Sequence, residues 1–344
     1  MNQHPFPPRK RILVAGGAGF IGSHLCERLI DDGHNIICID NLQTGRRHNL
    51  QSQIRSRRFR FIEADICDPI AIDGRIDAVY NLACAASPPS YQADPVHTMM
   101  TCVAGTLNLL KLAETHSARF LQASTSEVYG DPEEHPQRED YLGHVNCTGP
   151  RACYDEGKRA AETLCFDMLR AGRADVRVAR IFNTYGPRMH PNDGRVVSNF
   201  IVQALQGQPI TIYGEGEQTR SFCYVSDMIT GLITLMNTDE TPDGPVNLGN
   251  PEEFTINRLA SLILRQIGVA RPVRHFPLPL DDPRRRRPHI VRAQDMLGWR
   301  PTVSLEEGLP PTIAWFRGLV GGARTGRADG IHHLPAVDAA EGAA

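Results

Sequence analysis

Tyr154 and Lys158 stand four residues apart in a segment rich in helix formers, so the two side chains share one helix face. A cation beside a phenol favours the phenolate and lowers its pKa, which makes tyrosine a usable base near neutral pH. Such a pair arises by chance in many helices, and it gains weight here from its neighbours. Residues 124–130 read Ser-Thr-Ser-Glu-Val-Tyr-Gly and follow the apolar run 120–123. That places them at the C-terminal end of a strand, the edge where open α/β sheets bind ligands. Thr125 offers a hydroxyl able to hold a substrate oxygen, and Glu127 offers a carboxylate. The bland alternative is a polar turn.

A third constellation says what could work beside them. Gly16, Gly19 and Gly22 enclose Phe20 and Ile21 and follow the apolar run 11–15. Strand, tight turn and helix in that order aim backbone N–H groups at one point near a helix N-terminus, where a pyrophosphate can sit. The spacing is GxxGxxG and not GxGxxG. A second strand-like run, 35–39, ends at Asp40, eighteen residues past Gly22. A carboxylate at that offset can accept both hydroxyls of an adenosine ribose and repels a 2′-phosphate. NAD is therefore favoured over NADP, an inference that Arg46 and Arg47 temper.

Together these residues resemble the extended short-chain dehydrogenase/reductase family that works on nucleotide sugars. The longer runs 123–132, 149–159, 179–189, 192–200 and 247–253 are similar to its branch acting on UDP-glucuronate as a decarboxylase, and the resemblance spans about residues 11–316. It implies a hydride removed from carbon 4 of UDP-glucuronate to NAD, loss of carbon dioxide from the resulting β-keto acid, and return of the hydride to give UDP-xylose. It implies Tyr154 as base, Lys158 as its partner and ribose holder, Thr125 on the same sugar oxygen, and Glu127 and Arg286 near carbons 5 and 6. A guanidinium such as Arg286 can orient a carboxylate and stabilise the enolate that follows. On the cofactor side the resemblance adds Asn41, Thr44 and Gly45, the adenine contacts Asp65 and Ile66, and the nicotinamide-side backbone of Leu82, Ala83 and Cys84. On the substrate side it implies Asn183, Arg195, Val196, Asn199, Tyr213, Gln218 and Arg220. Ser126 stands where a 4,6-dehydratase carries an Asp, and Glu127 where a simple 4-epimerase carries a small residue. Met100, Cys102 and Ala85 depart from the family's Lys, Asn and Pro, which leaves the uronate itself less fixed. A UDP-uronate 4-epimerase, or a decarboxylase releasing the 4-keto pentose, stays open as the alternative. A non-catalytic NAD-binding regulator would have lost Tyr154 or Lys158.

These groups need a scaffold. Strand-like and helix-like segments alternate through 12–15, 23–31, 36–39, 59–63, 78–82, 103–115 and 120–123, the pattern of a parallel sheet covered on both faces. The expected architecture is α/β: a Rossmann-type doubly wound parallel sheet with a smaller α/β C-terminal substrate lobe. Residues 11–185 form the NAD-binding domain, with 225–250 returning to it, and 186–224 and 251–317 form the lobe. Residues 1–10 read as a disordered leader, 272–288 as an irregular Pro- and Arg-rich loop, and 318–344 as a disordered tail. The 344 residues, 41% hydrophobic with formal net charge −2, suit a globular enzyme and argue for neither nucleic acid nor membrane as partner. No apolar run reaches membrane-spanning length. Nine cysteines without a CxxC pair and thirteen histidines without HxxxH spacing read as reduced cytoplasmic thiols and no metal site. The family implies a homodimer, with the helices around Val103 and Tyr154 as candidate faces.

Overall fold

A computed structural model describes residues 9–278 and 285–324. Its centre is a seven-stranded sheet in the spatial order Val246–Leu248, Val176–Ile181, Arg119–Thr125, Ala78–Asn81, Arg11–Ala15, Asn35–Asp40, Phe59–Glu63, and every neighbouring pair is parallel. The order reverses direction at Arg11–Ala15, the switch point at which such sheets open a ligand crevice.

Strand periodicity builds two cores from one strand. Ile12 and Val14 face a core containing Leu25 and Leu29 of helix Phe20–Asp31 and Met228, Leu232 and Leu235 of helix Val225–Asn237. Leu13 and Ala15 face the opposite core, with Leu109 and Leu110 of helix Thr106–His116 and Cys165 and Met168 of helix Ala152–Arg170. All four strand residues are buried, and side chains alternating across the sheet account for the division.

The second lobe packs helices Val196–Gln206, Ile256–Ile267 and Leu305–Arg324 around Phe200, Ile201, Leu259, Ile263, Leu309 and Phe316. Its short strands reach toward the large sheet. Thr219–Ser221 pairs antiparallel with Glu253–Thr255 and parallel with Arg285–Arg286, and Ile210–Tyr213 pairs parallel with Val273–Phe276.

Two expectations are corrected here. The 272–288 stretch is not wholly irregular, because Val273–Phe276 and Arg285–Arg286 pair with strands distant in sequence. Cross-strand pairing supplied by tertiary context outweighs the local proline and arginine content. The last helix runs through Gly318 to Arg324, where composition suggested disorder: Phe316 and Val320 are buried and hold it to the lobe. The remainder of the expected tail, 325–344, and leader residues 1–8 lie outside the described residues. Lys10 is tied down, its amide donating to His34 Nδ1 at 3.2 Å and its carbonyl accepting from the Asn35 amide at 2.9 Å.

Candidate active site

The C-terminal edge of the sheet and the facing lobe enclose a cleft of ≈ 760 Å³. At one end lies the glycine turn. Gly16 has φ +76°, and a Cβ there would stand 2.7 Å from the Leu82 backbone. A Cβ on Gly22 would stand 2.1 Å from the Gly16 carbonyl oxygen. Only glycines let the helix start this close to the first strand. Gly16, Gly19, Phe20, Ile21, Gly22, Thr44, Leu82 and Cys84 line the cleft, and a smaller adjoining hollow is lined by Asp40, Asn41, Asp65, Ile66 and Ala83.

Asp40 accepts the Ala18 amide at 2.9 Å on one oxygen and the Leu42 amide at 2.8 Å on the other. The Gly19 amide also bonds to this carboxylate. Gly45 lines neither space; it abuts Asp40, where a Cβ would stand 2.5 Å from the carboxylate. In the smaller hollow Asp65 accepts from Asn41 Nδ2 at 2.7 Å and pairs with His97 Nε2 at 2.8 Å. Asp65, Cys67 and His97 bring one donor atom each within 4.8 Å of one another, but Asp65 is already engaged by these hydrogen bonds. The glycine cradle, the carboxylate closing the second strand and the hollow beyond it fit a dinucleotide such as NAD.

At the other end, Thr125, Glu127, Tyr154 and Lys158 converge on the cleft. Thr125 caps the short helix Ser126–Tyr129, its hydroxyl accepting the Glu127 amide at 3.2 Å, and it shares a hydrogen bond with Tyr154. One expectation is corrected. Lys158 donates to the Ala123 carbonyl at 2.9 Å and lies 5.7 Å from the Tyr154 ring centre. Burial, then the Cys84 and Glu127 groups, pushes the Tyr154 phenol well above its ordinary pKa. Desolvation of the phenolate outweighs the cation one helical turn away.

Glu127 is held from two sides. Arg286 Nη1 donates to its Oε1 at 2.9 Å, and Arg151 Nη2 donates to its Oε2. The two guanidiniums overcome burial and hold this carboxyl down at about 2. Arg286 is 7% exposed, and its Nε is buried without a partner. Arg286 as a residue lines the cleft.

Asn183, just past strand Val176–Ile181, and Arg195, Val196, Asn199, Tyr213, Gln218 and Arg220 of the lobe line the same cleft. Arg195 is fixed by both oxygens of Asp193. Gln218 donates to the Tyr213 carbonyl at 2.6 Å, and Asn199 to the Gly194 carbonyl at 3.0 Å. Met100 is 46% exposed and outside the cleft lining, so its lack of charge leaves the cleft wall unchanged. Cys102 is buried, its Sγ 3.4 Å from that of Cys84, and it packs against Gly157. Ala85 packs with Tyr91 and Tyr154.

Sequence reasoning missed Tyr91, Arg151, Asp155 and His97. For Arg151 a signal existed: positions 151, 154 and 158 recur at i, i+3 and i+7, one helix face. Tyr91 had none, because it sits on the proline-started helix Pro88–Ala93 far from Tyr154 in sequence.

Residues 12–249 match the model of the NAD dependent epimerase/dehydratase family. The chain is 55% identical over 309 residues to UDP-glucuronic acid decarboxylase 1 of Xenopus tropicalis, covering 90% of this chain and 72% of that protein. It is 53% identical over 311 residues to UDP-glucuronic acid decarboxylase 3 of Arabidopsis thaliana, covering 90% of each. Among solved structures, UDP-glucuronic acid 4-epimerase from Bacillus cereus in complex with UDP-glucuronic acid and NAD superposes with TM-score 0.81 at 29% identity, over 90% of this chain and 99% of that one.

Proposed function

The chain belongs to the NAD dependent epimerase/dehydratase family, and on that premise we propose that it converts UDP-glucuronate to UDP-xylose and carbon dioxide. The protein is an NAD-dependent enzyme. The observation that carries the choice of reaction is Glu127 held between Arg151 and Arg286 beside Thr125 and Tyr154. That places a carboxylate-binding guanidinium next to groups suited to oxidising a sugar hydroxyl. The relatives named as decarboxylases, at 53–55% identity, support it over the epimerase at 29%.

NAD held along the glycine turn of Gly16, Gly19 and Gly22 would supply reversible hydride acceptance at carbon 4 of the sugar. Tyr154 takes the proton of the carbon-4 hydroxyl, and Lys158 is the cation that offsets the burial of that phenol as the proton moves. Thr125 holds the same oxygen. The new ketone is β to the carboxylate, so carbon dioxide leaves and the electron pair of the broken carbon 5–carbon 6 bond stays on the sugar as an enolate. Tyr154 and Thr125 then face the enolate oxygen as hydrogen-bond donors. The Arg286 guanidinium would pair with the carboxylate, and Glu127 fixes its plane. After carbon 5 takes a proton from water and carbon 4 is reduced, Tyr154 returns its proton to the oxygen. Overall the sugar loses only carbon dioxide, and no net oxidation occurs. Asp40, against which Gly45 packs, with Asn41 and Thr44, and Asp65 with Ile66, would hold the adenosine half. Arg195 and Arg220 would face the diphosphate, and Tyr213, Gln218 and Asn199 the uridine.

The nine free thiols support a reducing, cytoplasmic setting, and no helix among the described residues is long and apolar enough to cross a membrane. The assembly we infer is a homodimer through helices Thr106–His116 and Ala152–Arg170. The test of function is incubation of the NAD-loaded protein with UDP-glucuronate. Carbon dioxide and UDP-xylose without accumulation of NADH are expected. UDP-galacturonate without carbon dioxide would make it an epimerase, and carbon dioxide with net NADH a producer of the 4-keto pentose.

A further inference from the structure

Two thiols meet beside the cleft, and the reaction above uses neither. Cys84 lies three residues past strand Ala78–Asn81 and lines both the cleft and the smaller hollow. Cys102 is buried on the single π-helical turn Thr101–Gly105. Their sulfurs stand 3.4 Å apart, and both cysteines are free. Cys26 and Cys38 form a contrasting pair. They too share a hydrogen bond, but both are sealed in the core with Leu25 and Leu29 and line neither space.

We propose that Cys84 and Cys102 are an oxidation site: a peroxide joins the two thiols in a disulfide, and that bond stops turnover until a dithiol reduces it. The sulfurs have only to close from 3.4 Å to about 2.05 Å. Cys84 opens the pair to the cleft, an entry for a small oxidant that the core pair lacks. Thiolate is the form that reacts, and the surroundings favour one. The hydrogen bond from Cys84 holds Cys102 down at about 7 against burial, and the Lys158 cation assists. Cys84 is raised in turn by the same bond and by burial, so the pair gives up one proton readily and keeps the other. Cys38 has no nearby cation, and its bond to Cys26 and its burial push it up.

The thiolate of the pair attacks one peroxide oxygen. The O–O bond breaks, leaving a sulfenic acid and a hydroxide that takes up the released proton as water. The neighbouring sulfur then attacks the sulfenic sulfur. The S–S bond forms, the S–O bond breaks, and the oxygen departs as a second water with the remaining thiol proton. Two electrons pass from the thiols to the peroxide. In a reducing compartment such a bond is transient, which suits a switch and not a brace. Its effect follows from what the two residues support. A Cβ on Gly157, between Tyr154 and Lys158, would stand 3.0 Å from Cys102 Cβ and 3.2 Å from its Sγ. Drawing the sulfurs together moves the cleft wall at Cys84 or this support of the Tyr154 helix.

The test treats the NAD-loaded enzyme with hydrogen peroxide and maps disulfides by mass spectrometry after free thiols are alkylated. Turnover is read before and after dithiothreitol. The expected result is a Cys84–Cys102 bond, turnover lower by about 10²-fold, the cost of a misplacement of roughly 1 Å, full recovery with dithiothreitol, and Cys26 and Cys38 still reduced. C102A should match the untreated parent and keep its rate in peroxide. If C102A does not fold, the native chain decides alone. No bond between Cys84 and Cys102 would overturn the inference. So would a bond from either to Cys153, which interacts with both, a mapped bond with turnover unchanged, or an equal loss in C102A. The bond is read without substrate, so an enzyme inactive on UDP-glucuronate would overturn the function and not the oxidation site.

Discussion

Tyr91 lies flat on Tyr154, ring centres 5.1 Å apart and planes within 3°. The two come from elements 63 residues apart in sequence, and the stack fixes the face of the phenol that the proposed chemistry uses. The Tyr91 carbonyl accepts from Thr98 Oγ1 at 3.0 Å, while its own hydroxyl is buried without a partner. Stacked aromatics contribute about 0.5–1.5 kcal/mol beyond area burial. Tyr91→Leu should therefore lower kcat roughly tenfold with little change in KM, and Tyr91→Phe should stay near the parent. Steady-state kinetics on both variants checks this; an equal loss in Tyr91→Phe would mean that the hydroxyl and not the ring matters.

Tyr154→Phe removes the proton acceptor and keeps the ring stack. Turnover should fall by about 10²–10⁴-fold, the usual worth of a positioned acid–base group, while NAD still binds. NAD affinity by fluorescence alongside the rate separates the two. Unchanged turnover would refute Tyr154 as the base.

Gly22→Ala tests the cradle. The new Cβ, 2.1 Å from the Gly16 oxygen, must push the helix start off the strand end. The expected result is loss of the thermal stabilisation given by saturating NAD, with the far-ultraviolet spectrum of the fold retained. Normal NAD stabilisation in this variant would place the dinucleotide elsewhere.

Acid should destabilise the protein in two windows. Burial lowers His24, whose ring bonds the Pro187 carbonyl at 2.9 Å, to about 4. Burial and then Arg46 bring His190 to about 4. A histidine whose folded pKa is depressed is protonated first in the unfolded chain, so stability is full above pH 6.5 and falls between 6.5 and 4. Glu127, held at about 2, adds stability that is full above its ordinary 4.5 and lost as pH falls toward 2. Tm measured against pH should show both limbs. His24→Gln should flatten the upper and Glu127→Gln the lower, and a lower limb unchanged in Glu127→Gln would contradict the clamp.

Much of the site was legible because it is local. The glycine turn, Asp40, the strand-end Thr125 and Glu127, and the Tyr154–Lys158 helix face are each set by residues within one turn or strand of each other. Arg286 came from resemblance alone, since four adjacent arginines at 284–287 give no local reason to prefer one. The structure adds a reason: Arg286 faces inward while Arg285 is exposed, the alternation of a strand paired with Thr219–Ser221. The expected lowering of the Tyr154 pKa failed because burial is a property of the whole packed site and not of helix spacing. The Tyr91 stack and the Cys84–Cys102 contact were out of reach for the same reason, as was strand Val273–Phe276, which is exposed along its length and owes its form to Ile210–Tyr213.

The central claim is that a carboxylate leaves the sugar while its carbon-4 oxidation is undone in the same site. The most direct measurement follows uniformly ¹³C-labelled UDP-glucuronate by NMR in deuterated water with the NAD-loaded enzyme. The account predicts one labelled carbon released as carbon dioxide or bicarbonate per UDP-xylose formed, deuterium at carbon 5 and hydrogen retained at carbon 4. A UDP-sugar product keeping all six hexuronate carbons would contradict it.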